Sequence, residues 1–415
     1  MRVIIHRGTK EIGGTCIELV ADNGKIIWID LGIPLDNKNS NIDYVSGKSD
    51  ALLISHPHLD HFGLMENLNN SIPIFIGELS LDLINATKIF RGIPIEEKNF
   101  QVIKPWEKYI VDDTFHITPF LTDHSTPEAL AFLIEADGKR IFYSGDFRST
   151  GRKKLVFEKI IKNPPRQIDL LLIEGTMVER EVNPYSTEDS VEDEIFRIVR
   201  IQKNVSFVIS SAQNIDRFIS VFKACKRTKK HLVIDIYTAW VLEVTRKQSK
   251  NIPAIEWQEI KVFEHPSQID KIKNEQFDEF RERIHRQKVG DQIFQNPADF
   301  VYFVRCPNKR LIDVLRKHGI INIIYSQWVG YLKEEHKTFS TDFLNSLQND
   351  NDISFHFVHT SGHATVSALI GLAQAINPRQ IVPIHTAYPE KFKSEFEERG
   401  FNNVTLWDDG KEYSI

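Results

Sequence analysis

The sequence predicts an α/β protein in which one α/β domain is inserted into another, and three observations carry that prediction. Short runs of β-branched and aromatic residues, bounded by Gly, Asp and Asn, dominate up to about residue 176. Helical periodicity alternating with isolated apolar runs then takes over until about residue 350. About ten of the 15 histidines lie outside residues 181–352, so the two parts also differ in chemistry. We therefore expect a discontinuous domain of residues 1–180 and 353–415 and an inserted domain of residues 181–352. A chain of 415 residues, 41% hydrophobic, has the material for two cores.

In chain order, the first part offers strands at RVIIHRG, TCIELVA, KIIWIDLG, ALLISH, IPIFIG, TFHITPF, AFLIEA, RIFYSGD and LLLIEGT. A helix follows in NPYSTEDSVEDEIFRIVRIQKN. It opens on a Ser-x-x-Asp start at Ser186 and Asp189, carries acids in its first turn, and spaces Val191, Ile195, Ile198 and Val199 along one face. VSFVIS, HLVIDIY, DFVYFV and INIIYS then read as parallel strands of a wound unit. DISFHFVH, a helical ATVSALIGLAQAIN and a buried strand QIVPIH bring the chain back to its first domain.

Composition narrows the class. A net charge of -5 gives no global sign of a nucleic-acid binder, although a local basic groove remains compatible with the nearly neutral insert. The N-terminus lacks the apolar core of a secretion signal and no stretch is long enough to span a bilayer, so a cytoplasmic protein without a membrane partner is expected. Cys16, Cys225 and Cys306 are dispersed and odd in number, which argues for core residues over a disulfide framework or a thiolate zinc site.

The chemistry concentrates at strand ends. Asp30 follows IIWI, His56 follows LLIS, Asp146 follows IFYSG, Glu174 follows LLLI and His385 follows IVPI. Loops at one edge of a sheet are where α/β proteins collect functional side chains. Within SHPHLDHFG, His56 and His58 point to one side of an extended loop while Asp60 and His61 turn back as a helix begins, so two ligand pairs can face two adjacent positions. Imidazole and carboxylate without thiolate favour Zn²⁺ or Mn²⁺. A two-metal site, with cations roughly 3.5–4 Å apart that activate a shared water, needs further ligands. His124 in TDHST, Asp146 in YSGDFR and His385 in VPIHT are the best ones, and Gly145 is expected to let the backbone approach the metals.

These motifs carry a resemblance. WIDLG, SHPHLDHFG, TDHS and YSGDFR look like the four successive motifs of the metallo-β-lactamase fold, an αββα sandwich. Glu174 in LLIEGT, His363 in HTSGHA and His385 in VPIHT are similar to the three motifs of its β-CASP nuclease branch, which includes RNase J. The resemblance implies that His56, His58 and His124 hold one metal, that Asp60, His61 and His385 hold the other, and that Asp146 bridges them. It also implies that Asp30 fixes a ligand by a hydrogen bond. Asp60, Glu174 and His363 are then the catalytic residues, with His363 as a general acid supported by Glu174. Hydrolysis of single-stranded RNA by two-metal activation of water, internally or from the 5′ end, is the expected activity. A DNA nuclease of the same branch and a small-molecule hydrolase are the alternatives. A histidine at position 385 favours RNA, because DNA-repair members of the branch typically carry valine there.

Phosphate contacts are expected at two places. In VISSAQNIDRFISVF, Ser211, Asn214 and Arg217 flank a helix N-terminus, and in HTSGHA, Ser361 and Gly362 match positions that touch RNA in the family. Ordinary helix capping is the competing reading of the first set. Trp328 and Tyr331 in YSQWVGYL offer either base stacking or core packing. The basic run KACKRTKKH reads as a nucleic-acid track or, more simply, as cations at a helix C-terminus. A homodimer and a larger protein complex both stand as readings of the assembly.

Overall fold

The structure, a computed structural model, describes residues 1–35, 49–180, 184–201, 204–333 and 339–415. It divides into two compact units. Met1–Leu81, Glu96–Val182 and Gly362–Ile415 form the first; Asp82–Ile95 and Asn183–Ser361 form the second. The expected start of the insert at residue 181 lies outside the described residues.

The first unit is built on two sheets. Its N-terminal strands are β1 (Arg2–Arg7), β2 (Cys16–Val20), β3 (Ile26–Leu31), β4 (Ala51–Leu53), β5 (Ile74–Gly77) and β6 (Phe100–Ile103). The second sheet starts with β7 (Tyr109–Val111), β8 (Phe115–Thr122), β9 (Ala129–Ala136), β10 (Lys139–Tyr143) and β11 (Leu170–Glu174). The second unit contributes β12 (Val205–Ile209), β13 (His231–Asp235), β14 (Ile260–Phe263), β15 (Phe300–Val304), β16 (Ile321–Tyr325) and β17 (Ile353–Phe357). The chain then returns with β18 (Gln380–Ile384) and β19 (Glu412–Ser414).

The first sheet runs β19-β1-β2-β3-β4-β5-β6 and the second β18-β11-β10-β9-β8-β7. Their facing residues make one core: Ile17, Leu19, Ile29 and Leu53 from one sheet meet Phe132, Ile134, Ile141 and Leu172 from the other, all fully buried. Burying each such side chain stabilises the sandwich by ~1.5–3 kcal/mol. The second sheet is also covered on its other face, where Leu171, Ile173 and Phe142 pack with Leu369 and Leu372 of the helix Val366–Ile376. This double burial explains why LLLIE reads as one continuous apolar run rather than an alternating one. Strands β6, β7 and β19 carry no clear sequence signal, because each is only three or four residues long and lies at a sheet edge.

The second unit is a six-stranded parallel sheet in the order β14-β13-β15-β12-β16-β17. Strand β17 pairs in parallel with β16, Ile321 opposite Ile353 and Tyr325 opposite Phe357. The segment DISFHFVH thus belongs to this sheet, beyond the boundary expected at 352. The helix Glu188–Val199 is capped one residue later than the Ser186 start expected. Thr187 accepts from the amide of Ser190 at 3.1 Å, and the Ser190 hydroxyl closes a reciprocal box. Ser190 does the work expected of Asp189, because a hydroxyl at the third helical position both donates and accepts. Among the described residues no helix is long and apolar enough to cross a membrane.

Candidate metal centre

Every strand-end residue of the first unit that the sequence singles out arrives at one edge of the sandwich. After β4 the chain runs extended through His58 and then forms the short helix Leu59–Phe62, which swings Asp60 and His61 back. Glycine 32 makes this return fit: a Cβ there would lie 1.7 Å from the Asp60 carbonyl oxygen, so only glycine lets the loop lie against the end of β3. Gly145 sits at φ +54, and a Cβ there would meet the Leu130 carbonyl at 2.5 Å, so its small size admits the neighbouring strand.

Among the described residues four groups of ligand atoms converge, each within 4.8 Å: His56, His58 and His124; Asp60, His61 and His385; His56, His61 and Asp146; and Asp146, Glu174, His363 and His385. Nε2 of His56 lies 3.1 Å from Nδ1 of His58, which lies 3.3 Å from Nε2 of His124. Two donors each ~2.0–2.1 Å from one tetrahedral Zn²⁺ are separated by ~3.3 Å, so these spacings suit a shared cation. Asp146 is central. Its Oδ2 lies 3.3 Å from Nε2 of His61, 3.7 Å from that of His56 and 4.0 Å from that of His124.

Outer hydrogen bonds set the tautomers. The Asp30 carboxylate accepts from the Ser55 amide (2.7 Å), the Ser55 hydroxyl (2.7 Å), the Tyr143 hydroxyl (2.6 Å) and Nδ1 of His61 (2.7 Å). His61 therefore turns its buried Nε2 inward, toward the carboxylates of Asp146 (3.3 Å) and Asp60 (3.9 Å). The carbonyl of Gly362 accepts from Nδ1 of His124 at 2.6 Å, again leaving Nε2 inward. Gly362 thus orients an imidazole through its carbonyl. For His385, Nδ1 meets the Thr176 hydroxyl at 2.8 Å and Nε2 accepts from the Gly13 amide at 3.1 Å, 3.4 Å from Asp60 Oδ2. Asp30 and His385 both adopt positive φ, 56° and 49°, which non-glycine residues seldom do and which recurs at functional sites.

The ionisation states match the same purpose. Burial, reinforced by neighbouring imidazoles, pushes His56 well below the usual histidine range. Burial also lowers His58, to about 4, and His124, in both cases over the opposing pull of nearby carboxylates. These rings are neutral and can ligate. Burial would raise the carboxyls of Asp60 and Asp146, but the surrounding histidines hold both well below the usual range. His61 goes the other way: burial lowers it, and the attraction of Asp146, Asp30 and Asp60 more than reverses that. Neutral imidazoles at His56, His58 and His124, ionised carboxylates at Asp60 and Asp146, and the Nε2 of His61 turned toward those carboxylates make a nitrogen and oxygen donor set that fits a divalent cation. Asp30→Asn would set an amide N–H₂ against donors that now point at a carboxylate. We expect metal affinity to fall ~10–100-fold, read by competition with a chromogenic chelator; unchanged affinity would mean Asp30 does not orient His61.

Beside this cluster, His363 places Nδ1 3.0 Å from Oε2 of Glu174 and 3.6 Å from Oδ2 of Asp146. Oε1 of Glu174 accepts from the amides of Phe147 (2.9 Å) and Ala364 (3.3 Å), so the carboxylate is fixed from both sides. Burial lowers the His363 pKa, but Glu174 and Asp146 raise it above the usual value. His363 retains 20% side-chain exposure, against 1% for Glu174.

The residues expected to bind phosphate in the insert are arranged otherwise. Asn214 caps the helix Ile215–Thr228 by accepting from the Arg217 amide, and Ser211 accepts from the amide of Gln213. Arg217 is fully buried and bidentate with Glu188, Nε at 3.2 Å and a terminal nitrogen at 3.1 Å. Ser361 is partly exposed. In the basic run, Lys223 and Arg227 pair with Glu192 and Lys226 with Glu259, as cations at a helix C-terminus commonly do. Trp328 is half-buried, edge-on to the exposed Tyr331. Ser55, Tyr143 and Thr176 are site residues that the sequence reading missed.

The chain resembles known proteins over its whole length. Residues 40–200 match the Beta-lactamase superfamily domain, and residues 354–406 match the Zn-dependent metallo-hydrolase RNA specificity domain. Ribonuclease J of Mycoplasma pneumoniae is 22% identical across 97% of this chain and 71% of that protein. The RNase J-like protein of Methanocaldococcus jannaschii is 28% identical across 41% of each chain, and Ribonuclease J 2 of Streptococcus pyogenes is 25% identical across 56% of this chain and 45% of its own length. The matches to these last two span less than half of each relative. A crystal structure of a protein of unknown function from Enterococcus faecalis V583 shares the fold, with a TM-score of 0.75 at 21% identity over 100% of this chain and 99% of that one.

Proposed function

The chain is a metallo-β-lactamase, β-CASP protein of the RNase J-like kind, and from that premise we infer that it is a metal-dependent ribonuclease. The observation that carries the reading is the Glu174–His363 pair, 3.0 Å apart, standing beside a seven-residue imidazole and carboxylate cluster. Cleaving a phosphodiester requires an activated water on one side of phosphorus and a proton for the departing alkoxide on the other. An acid positioned next to a metal cluster supplies the second need.

In this reading His56, His58 and His124 would hold one divalent cation and Asp60, His61 and His385 a second, with Asp146 available to both groups. When bound, the two ions, Zn²⁺ or Mn²⁺, supply Lewis-acid activation of water and neutralise charge on the phosphate. The chain's own groups do the rest. Asp60, ionised and 18% exposed against 3% for Asp146, is the carboxylate of the cluster most open to an entering water and would orient it. Glu174 holds Nδ1–H of His363, leaving Nε2 of that ring to deliver a proton to the leaving oxygen. Asp30, Thr176 and the Gly362 carbonyl keep the imidazoles turned. The substrate is single-stranded RNA, cut internally or from its 5′ end.

The test uses 5′-labelled single-stranded RNA and the matching DNA strand with the metal-loaded protein. We expect cleavage of RNA with Zn²⁺ or Mn²⁺, its loss on chelation and its return on adding either metal. Preference for the DNA strand would transfer the assignment to the DNA-cutting members of the branch. Inertness toward both strands would overturn it.

A further inference from the structure

The buried guanidinium of Arg217 is committed to one short stretch of chain. One terminal nitrogen donates to the Ser326 carbonyl (2.7 Å) and hydroxyl (2.6 Å) and lies 3.3 Å from Nδ1 of His359; the other reaches the Thr360 carbonyl at 3.3 Å. The Ser326 hydroxyl in turn donates to the Val358 carbonyl. Three consecutive residues leaving β17, namely Val358, His359 and Thr360, are therefore tied directly or through one hydroxyl to a single planar fork. Glu188, fully buried and also accepting from the Ser220 hydroxyl at 3.0 Å, fixes the back of that fork.

A buried ion pair is not needed merely to join two helices, since apolar residues of similar volume commonly pack as stably or better. What an apolar pair cannot do is fix the direction of backbone carbonyls. The next peptides after Thr360 are Ser361, Gly362 and His363. Gly362 orients His124, and His363 is the acid of the proposed reaction. We propose that Arg217 is a positioning residue that sets the exit of β17 and, through the chain, the placement of His363. This rests on the ribonuclease reading only for its kinetic consequence.

The test uses the full chain. Arg217→Met combined with Glu188→Leu removes both charges together, so neither is left buried alone. We expect this variant to fold with a thermal midpoint near that of the parent and to bind the same amount of metal. Its kcat on labelled RNA should fall at least ~10-fold. In a His363→Ala background the same double change should cost almost nothing further, because the group being positioned is gone. Amide exchange at residues 359–363, followed by mass spectrometry, should quicken in the double variant. Ser326→Ala, which leaves the ion pair in place, should quicken the same amides to a smaller degree and decides the matter if the double variant fails to fold.

Parental kcat in the double variant, or an equal loss with and without His363, would reduce Arg217 to a scaffold residue. Unchanged exchange at 359–363 would do the same. If the parent cuts no RNA, the ribonuclease reading fails, and the exchange measurement still decides whether Arg217 holds the loop.

Discussion

Replacing Asp146 by alanine is expected to lower RNA cleavage by at least ~10³-fold, the largest effect of any single change in the chain. The reason is its position. One carboxylate, almost fully buried, faces His56, His61, His124, His363 and His385 at 3.3 to 4.0 Å. Removing it takes away the only described carboxylate that lies among both imidazole groups. Asp146→Asn keeps the volume and should fail nearly as badly, which separates charge from packing. Both variants should also retain less metal after dialysis, measured by elemental analysis. Cleavage within a few fold of the parent by either variant would show that the cluster is not where the reaction occurs.

The ligand cluster is legible in sequence because its members obey a local rule: each follows a short apolar run, and a strand end is forced to one edge of a sheet. The sheets are legible for the same reason, since β2, β3, β9 and β11 are apolar enough to stand out. The supports of the site do not obey such a rule. Tyr143 reads as one more strand aromatic, yet its hydroxyl meets Asp30, 113 residues away, and Ser55 meets Asp30 across 25. The signal that could have found Tyr143 is its polar tip at the last position of a buried strand, where a hydroxyl needs a partner. Thr176 supports His385 across 209 residues and leaves no trace in pattern.

Arg217 shows how a local rule can mislead. Asn214 and Arg217 at a helix start, after small polar residues, have the look of an anion site, because helix N-termini favour negative charge. The anion that Arg217 meets is supplied by the chain itself. Glu188 sits in the first turn of another helix, where acids are ordinary and a buried one is indistinguishable by sequence from a solvated one. Only packing reveals that both are fully enclosed. The support that Gly362 gives His124 is invisible in sequence for another reason: the group at work is a carbonyl oxygen, which every residue has.

His363→Ala is expected to reduce kcat by ~10²–10⁴-fold while leaving bound metal unchanged. The prediction discriminates, because the geometry admits a rival role. Asp146, Glu174, His363 and His385 also fall within 4.8 Å of one another and could be read as a ligand group. Two facts favour the acid. Nδ1 of His363 is engaged by Glu174 at 3.0 Å, a carboxylate already fixed by two backbone amides, so the ring is held by the protein at the nitrogen nearest Asp146. Its side chain also keeps 20% exposure, against 0–2% for His56, His61, His124 and His385, so a leaving oxygen can reach this ring while the others are enclosed. Glu174→Gln should then reproduce much of the His363→Ala loss with metal retained, because an amide can neither stabilise the charged ring nor hold Nδ1–H as well. If His363→Ala instead releases an ion, the residue is a ligand and the proton for the leaving oxygen comes from elsewhere.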